Sequence, residues 1–138
     1  RTMNIQASYA IQLAAKQGIR PAILTGGKDD SIVYRYSKLG MKDIFMGAAV
    51  KISIYEDYCK KNGLTDEEII YVGDDIPDYE IMSRVGCSCC PSDACSDIKD
   101  ISTYVSPNTG GNGCVRDILE QVLRAKGLWL SSAKAFGW

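Results

Sequence analysis

The chain has 138 residues, of which 46% are apolar and 24% are charged, and its formal net charge is −1. This balance is typical of one globular domain with a buried core, and it provides no basic surface that would favour nucleic acid or a membrane surface. The sequence contains no histidine, so the usual general base and the Ser-His-Asp and Cys-His arrangements are excluded.

The six cysteines do not form a zinc motif. Three of them cluster at Cys87, Cys89 and Cys90, without paired Cys-x-x-Cys units or a histidine partner. We therefore expect reduced thiols that pack as small apolar residues. No apolar run approaches the length of a membrane span, and no signal peptide is visible at Arg1, so a cytoplasmic location is the expectation.

The first half of the chain alternates helical and strand patterns. Apolar spacing predicts helices, and short apolar runs bounded by glycine or polar residues predict strands. In chain order the elements are a helix over 5–17, a strand over 20–24, a helix over 29–39, a strand over 43–46 and a helix over 50–61.

The second half continues this alternation. Thr65 to Glu68 has the spacing of a capping box and predicts a single turn. The elements that follow are strands over 69–72, 87–90 and 103–105 and helices over 77–85, 94–99 and 114–126. Alternating strands and helices predict an α/β fold with a doubly wound parallel sheet covered on both faces. Because such a fold normally opens on a strand and this pattern opens on a helix, we expect a missing strand upstream.

Three polar features follow predicted strands. They are Thr25 with Gly26, Lys51 at the start of a helix, and Gly73-Asp74-Asp75 followed by Asp78. Each has an ordinary interpretation on its own: a glycine turn with a threonine cap, a solvated lysine, and acidic residues at a helix start. In a parallel sheet, however, all three fall at the carboxyl edge, where ligands bind. A phosphate-binding hydroxyl, a cation and paired carboxylates for Mg²⁺ are the groups that phosphoryl transfer needs.

On these residues the chain resembles the haloacid dehalogenase superfamily of aspartyl-phosphate phosphatases. The resemblance is strongest to its capless branch that contains 3-deoxy-D-manno-octulosonate 8-phosphate phosphatase, and it covers essentially the whole chain. Besides the three features above, it rests on residues 110–117, which read Gly-Gly-Asn-Gly-Cys-Val-Arg-Asp, and on the ending Ala135-Phe136-Gly137-Trp138.

The resemblance implies a role for each residue near the metal. Asp74 would bind Mg²⁺ directly, Asp75 would assist the metal or hold Lys51, and Asp78 would support the ligands from behind. Thr25 and the Gly26 N–H would hold phosphoryl oxygens, while Lys51 would neutralise their charge.

Two arginines are weaker candidates for the substrate carboxylate. Arg116 fits that role about as well as it fits a surface position at a helix start. For Arg35 the interpretation as a solvated helix face is favoured.

The superfamily's Asp-x-Asp motif, which supplies the nucleophile and the general acid–base, is absent from the sequence. We therefore expect that the 138-residue chain is N-terminally incomplete and inactive alone, with a decayed enzyme as the alternative. A second departure is Ala7-Ser8, where relatives commonly carry Asp-Gly.

The sequence thus predicts a phosphatase core over 1–127 and a C-terminal tail over 128–138. The tail is rich in aromatic residues, and the resemblance implies a tetramer in which such tails help to cover the site. The expected reaction is Mg²⁺-dependent hydrolysis of 3-deoxy-D-manno-octulosonate 8-phosphate. A nine-carbon keto-deoxy sugar acid phosphate, or a non-catalytic oligomer-forming domain, are the alternatives.

Overall fold

The structure is a computed structural model that describes residues 19–24, 34, 43–47, 50–110 and 113–127. The predicted helix over 5–17, nearly all of that over 29–39, Thr25, Gly26, Arg35 and the tail over 128–138 lie outside these residues. The chain divides into two compact units, one of residues 1–47 with 115–138 and one of residues 48–114. The prediction of one core over 1–127 stays a prediction.

The first unit contains two parallel strands, β1 (Ala22–Leu24) and β2 (Asp43–Phe45), as the sequence predicted. An ion pair of 2.6 Å from Arg20 Nε to Asp43 joins the start of β2 to the residues before β1. Most of the helix Cys114–Ala125, α4, also belongs to this unit, and it buries Ile118 and Leu123 completely or nearly so.

The second unit is a three-stranded parallel sheet with its connecting helices. Its strands are β3 (Ile70–Val72), β4 (Cys87–Cys90) and β5 (Tyr104–Val105), adjacent in that order. The helices are α1 (Lys51–Asn62), α2 (Tyr79–Met82) and α3 (Ser96–Ile101). Every strand pairing among the described residues is parallel, which confirms the predicted α/β class.

The core of this unit lies between the sheet and its helices. Met82, Cys90, Ala94 and Ile98 form a buried cluster, and Tyr71 packs against it. All six cysteines are free thiols, and Cys59, Cys89, Cys90 and Cys114 are buried. They pack as small apolar residues, as the sequence predicted.

The helix predicted over 77–85 is wrong in extent. A 3₁₀ turn, Ile76–Asp78, precedes a single α-helical turn, Tyr79–Met82. The chain must return to β4 at Gly86, whose N–H donates to the Asp66 carbonyl at 2.7 Å. Between Met82 and Gly86 the chain forms hydrogen-bonded turns, in which the Arg84 and Val85 N–H groups both donate to the Ile81 carbonyl. The capping-box prediction is confirmed, because Thr65 and Glu68 cap the 3₁₀ turn Asp66–Glu68 reciprocally. No helix among the described residues is long and apolar enough to cross a membrane.

Candidate active site

The acidic segment begins where β3 ends, at the carboxyl edge of its sheet. Gly73 extends the pairing with β4, since its N–H donates to the Cys89 carbonyl at 3.1 Å. A Cβ at this position would lie 2.6 Å from Asp78 Cβ and 2.8 Å from Met82 Sδ. Only glycine allows the next turn to fold back so closely over the strand end.

That turn is capped by two aspartates. The Asp75 carboxylate accepts a hydrogen bond from the Ile76 N–H at 2.8 Å, and Pro77 lies in the first turn, where its missing N–H costs nothing. The Asp78 side chain reaches back and accepts the N–H groups of Asp74 at 3.1 Å and Asp75 at 3.4 Å. The sequence Gly-Asp-Asp-Ile-Pro-Asp therefore folds into a turn whose backbone is held by its last residue.

Asp78 also binds two side chains from other elements. The Lys51 ammonium, at the first position of α1, donates to Asp78 Oδ1 at 2.9 Å, and the Tyr71 hydroxyl from β3 donates to the same oxygen at 2.6 Å. The side chain of Asp78 is only 5% exposed and that of Lys51 18%. A buried carboxylate with this number of donors is fully satisfied and stays ionised.

The pKa of Asp78 follows from these contacts. Burial raises the pKa of its carboxyl, but the hydrogen bonds from Tyr71 and Lys51 and the Lys51 charge outweigh burial, and the pKa lies below its ordinary value. Burial, together with the hydrogen bond to Asp78, raises the pKa of Tyr71. At neutral pH Asp78 is therefore a carboxylate and Tyr71 a neutral phenol.

The position of Lys51 is unfavourable for helix stability. A cation at the first residue of a helix opposes the helix dipole, and α1 has no acidic residue in its first turn. The partner that compensates for this charge comes from another element, since Asp78 lies 27 residues later in the chain. The placement of Lys51 is therefore better explained by a function at this site than by a contribution to the stability of α1.

Asp74 and Asp75 are the exposed carboxylates of the segment. The Asp74 carboxylate has no hydrogen bond or ion pair with the described residues, so its oxygens are open to a ligand. Hard carboxylate oxygens at a strand end suit Mg²⁺, which keeps several waters and shares substrate oxygens. No three His, Cys, Asp or Glu side chains among the described residues group closely enough to hold a metal ion by themselves. Asp74 and Asp75 could therefore supply part of the coordination shell of a Mg²⁺ ion.

The other residues predicted for the site differ in what the structure shows of them. Lys51 pairs with Asp78 and not with Asp75, whose carboxylate instead accepts the Ile76 N–H. The assignment of Asp75 to the metal stays a prediction. Arg116 is on α4, where it donates to Glu120 at 3.1 Å. Its assignment to a substrate carboxylate, like those of Thr25, Gly26 and Arg35, stays a prediction.

Sequence reasoning missed Tyr71 and the central place of Asp78. Tyr71 is two residues before Gly73 in a strand, where an aromatic residue indicates only packing. The one feature of the sequence that could have indicated this role is the hydroxyl group of Tyr71, on the strand that precedes the three carboxylates.

The chain matches known proteins along most of its length. Residues 31–118 match the haloacid dehalogenase-like hydrolase family. The chain is 32% identical over 127 residues to 3-deoxy-D-manno-octulosonate 8-phosphate phosphatase of Escherichia coli strain K12, covering 92% of this chain and 68% of that protein.

Two solved structures extend the likeness to the fold. The phosphatase of the same name from Moraxella catarrhalis, in complex with a magnesium ion, a phosphate ion and a KDO molecule, has a TM-score of 0.85 and 30% identity, covering 88% of this chain and 70% of that one. The cobalt-bound deoxy-D-mannose-octulosonate 8-phosphate phosphatase from Haemophilus influenzae has a TM-score of 0.87 and 28% identity, covering 96% and 79%.

Proposed function

We propose that this chain, which belongs to the haloacid dehalogenase-like hydrolases, is part of a Mg²⁺-dependent phosphatase. Its substrate would be 3-deoxy-D-manno-octulosonate 8-phosphate, from which it releases phosphate. The reaction class, hydrolysis of a phosphomonoester, follows from the family and from the phosphatases to which the chain is similar. The eight-carbon substrate is the finer part of the proposal, and it is supported by the E. coli relative and by the KDO-bound neighbour.

One observation carries the proposal. The Asp78 carboxylate binds the Lys51 ammonium through one oxygen and the N–H groups of Asp74 and Asp75 through the other. A single buried group therefore sets both the position of the cation and the backbone of the two exposed acids. Phosphoryl transfer needs these parts in fixed positions, since its catalysis consists mostly of positioning and charge stabilisation.

The roles of the residues follow from their charges. Lys51 provides positive charge for the phosphoryl oxygens, and Asp78 keeps the ammonium in place and compensates its charge before substrate arrives. Asp74 and Asp75 would hold Mg²⁺, which when bound neutralises phosphoryl charge. The attacking carboxylate that the family resemblance implies is not assigned to any of the 138 residues.

The test is phosphate release by the protein expressed from its complete reading frame. We expect Mg²⁺-dependent release from 3-deoxy-D-manno-octulosonate 8-phosphate, and lower kcat/KM with the nine-carbon 9-phosphate. Preference for the nine-carbon substrate would overturn the substrate assignment. No release from either, with the fold intact, would favour the non-catalytic alternative. The tetramer is a separate proposal that sedimentation of the same protein tests, and the covering role of the tail over 128–138 stays a prediction.

Asp74 supplies the matched mutation. Asp74→Asn removes a charged ligand while it keeps shape, and we expect activity to fall by about 10³-fold or more, because the metal contributes several kcal/mol of charge stabilisation. The control is Asp57→Asn, at an exposed position on α1. Circular dichroism should be unchanged in both proteins. Full activity of Asp74→Asn would remove Asp74 from the metal site.

A further inference from the structure

Tyr71 has no role in the function proposed above, yet its hydroxyl contacts the same atom as Lys51. The Tyr71 hydroxyl lies 2.6 Å from Asp78 Oδ1, and Lys51 Nζ lies 2.9 Å from that oxygen. The two donors come from different elements, β3 and α1. They meet at a carboxylate that is almost completely buried.

The ring of Tyr71 is fixed by packing. It lies against the cluster of Met82, Cys90, Ala94 and Ile98, and its strand is paired with β4 through Ser88. A tyrosine has only two side-chain torsions, so a ring held in a core places its hydroxyl with little freedom. The hydroxyl therefore acts as a fixed donor, whereas Lys51 ends a flexible four-carbon stem.

The four hydrogen bonds use the full acceptor capacity of Asp78. A carboxylate offers about two lone pairs on each oxygen. Tyr71 and Lys51 take those of Oδ1, and the N–H groups of Asp74 and Asp75 take those of Oδ2. Because Tyr71 occupies one side of Oδ1, the ammonium is restricted to the other side.

We propose that Tyr71 is a positioning residue that fixes the Lys51 ammonium through the shared Asp78 oxygen. The inference rests on the proposed function, because it takes Lys51 as the cation that meets the phosphoryl group. In this proposal Tyr71 acts through Asp78 and is not a catalytic residue. Its effect is transmitted through one carboxylate.

The competing explanation is a core tyrosine that satisfies its hydroxyl with a nearby acid. The chain contains a matched example, since the buried Tyr55 donates to Asp66 at the same distance of 2.6 Å, away from the acidic segment. Tyr55→Phe and Tyr71→Phe remove the same group from the same kind of bond. Only the second should alter kcat.

The kinetic experiment is a double-mutant cycle on the protein expressed from its complete reading frame. We expect Tyr71→Phe to lower kcat about tenfold, the lower end of the range for outer-shell partners, with a small change in KM. In the Lys51→Ala background the same substitution should have almost no further effect on kcat. Tyr55→Phe should leave kcat unchanged. Independent, multiplying effects of Tyr71→Phe and Lys51→Ala, or an unchanged kcat in Tyr71→Phe, would overturn the proposal.

An NMR experiment decides the same point without activity. Lysine labelled with ¹³C at the ε-methylene gives one signal for each lysine, and Lys51→Ala assigns that of Lys51. We expect Tyr71→Phe to shift or broaden this signal and Tyr55→Phe to leave it in place. An unmoved Lys51 signal in Tyr71→Phe would refute the positioning role even in a protein without phosphatase activity, so the two proposals fail separately.

The unsubstituted protein provides a measurement that does not depend on the folding of a variant. Two donors to one oxygen lie close together, so a nuclear Overhauser effect is expected between the Tyr71 ring protons and the Lys51 ε-methylene. Its absence in the folded protein would contradict the shared-oxygen geometry.

Discussion

A hydrogen bond from a tyrosine to an aspartate occurs near each end of β3, and the groups around the two bonds differ. At the carboxyl end Tyr71 donates to Asp78, and before the amino end Tyr55 donates to Asp66, both at 2.6 Å. The Asp78 side chain is 5% exposed and accepts a lysine and two backbone N–H groups, whereas the Asp66 side chain is 33% exposed and shares Arg84 with Glu56. Because the two hydrogen bonds have the same length and the same kinds of donor and acceptor, any difference in their effect comes from the groups around them.

The amino end is arranged for stability. Arg84 lies 5.7 Å from the centre of the Tyr55 ring and bonds to two carboxylates, so its charge is balanced at the surface. The carboxyl end instead keeps Asp74 and Asp75 exposed and places a cation where a helix start disfavours it. A charged residue in an unfavourable position that is compensated by a buried partner of opposite charge is typical of functional sites.

The largest effect that separates the two ends is expected at Lys51. Lys51→Ala should lower kcat by about 10² to 10³-fold, the scale measured for a single donor to developing negative charge. Lys61→Ala, at an exposed position near the end of the same helix, is the control and should leave kcat unchanged. Steady-state kinetics and circular dichroism check both. If Lys51→Ala unfolds while its folded fraction turns over normally, Lys51 is structural.

Two glycines provide the next comparison. A Cβ at Gly73 would meet Asp78 Cβ at 2.6 Å, and a Cβ at Gly86 would meet the Glu67 carbonyl oxygen at 2.4 Å. Both alanine variants should lose roughly 1–3 kcal/mol of unfolding free energy, as overpacking commonly costs. Only Gly73→Ala should also lower kcat of the folded protein, since it displaces Asp78. Urea unfolding and kinetics test this, and equal kcat values in the two variants would count against a functional difference between the ends.

The smallest effect is a pH dependence at the amino end. The hydrogen bond from Tyr55 lowers the pKa of Asp66 below its ordinary value, against burial and with help from Arg84. A lowered folded-state pKa stabilises the protein above the unfolded value of about 3.9, and this stabilisation is lost as the pH falls through the folded pKa. Tyr55→Phe should raise the Asp66 pKa and flatten the acid side of the stability profile. Carboxyl NMR titration and urea unfolding between about pH 1 and 5 check it, and an unchanged Asp66 pKa would show that Tyr55 does not set it.

Much of the second unit could be predicted because its signals are local. Glycine after the strand, proline in the first turn of Ile76–Asp78 and the Thr65–Glu68 capping box each act within a few residues. The helix over 77–85 was predicted too long because apolar spacing does not distinguish the 3₁₀ turn at its start and the turns at its end from an α-helix. The pairing of Lys51 with Asp78 instead of Asp75 was also not visible, since it depends on which carboxylate faces α1.

The sequence by itself determined the parallel α/β class, the acidic segment at a strand end, and the chemistry that Lys51, Asp74 and Asp75 can perform. These follow from hydrophobic spacing and from the charges of adjacent residues, which the chain fixes locally. Only the tertiary structure decided that Asp78 is the shared partner of Lys51, Tyr71 and the acidic loop, because its contacts span up to 27 residues. Which donors reach a buried carboxylate is set by the packing of β3 against α1 and the 3₁₀ turn, and local sequence does not encode that geometry.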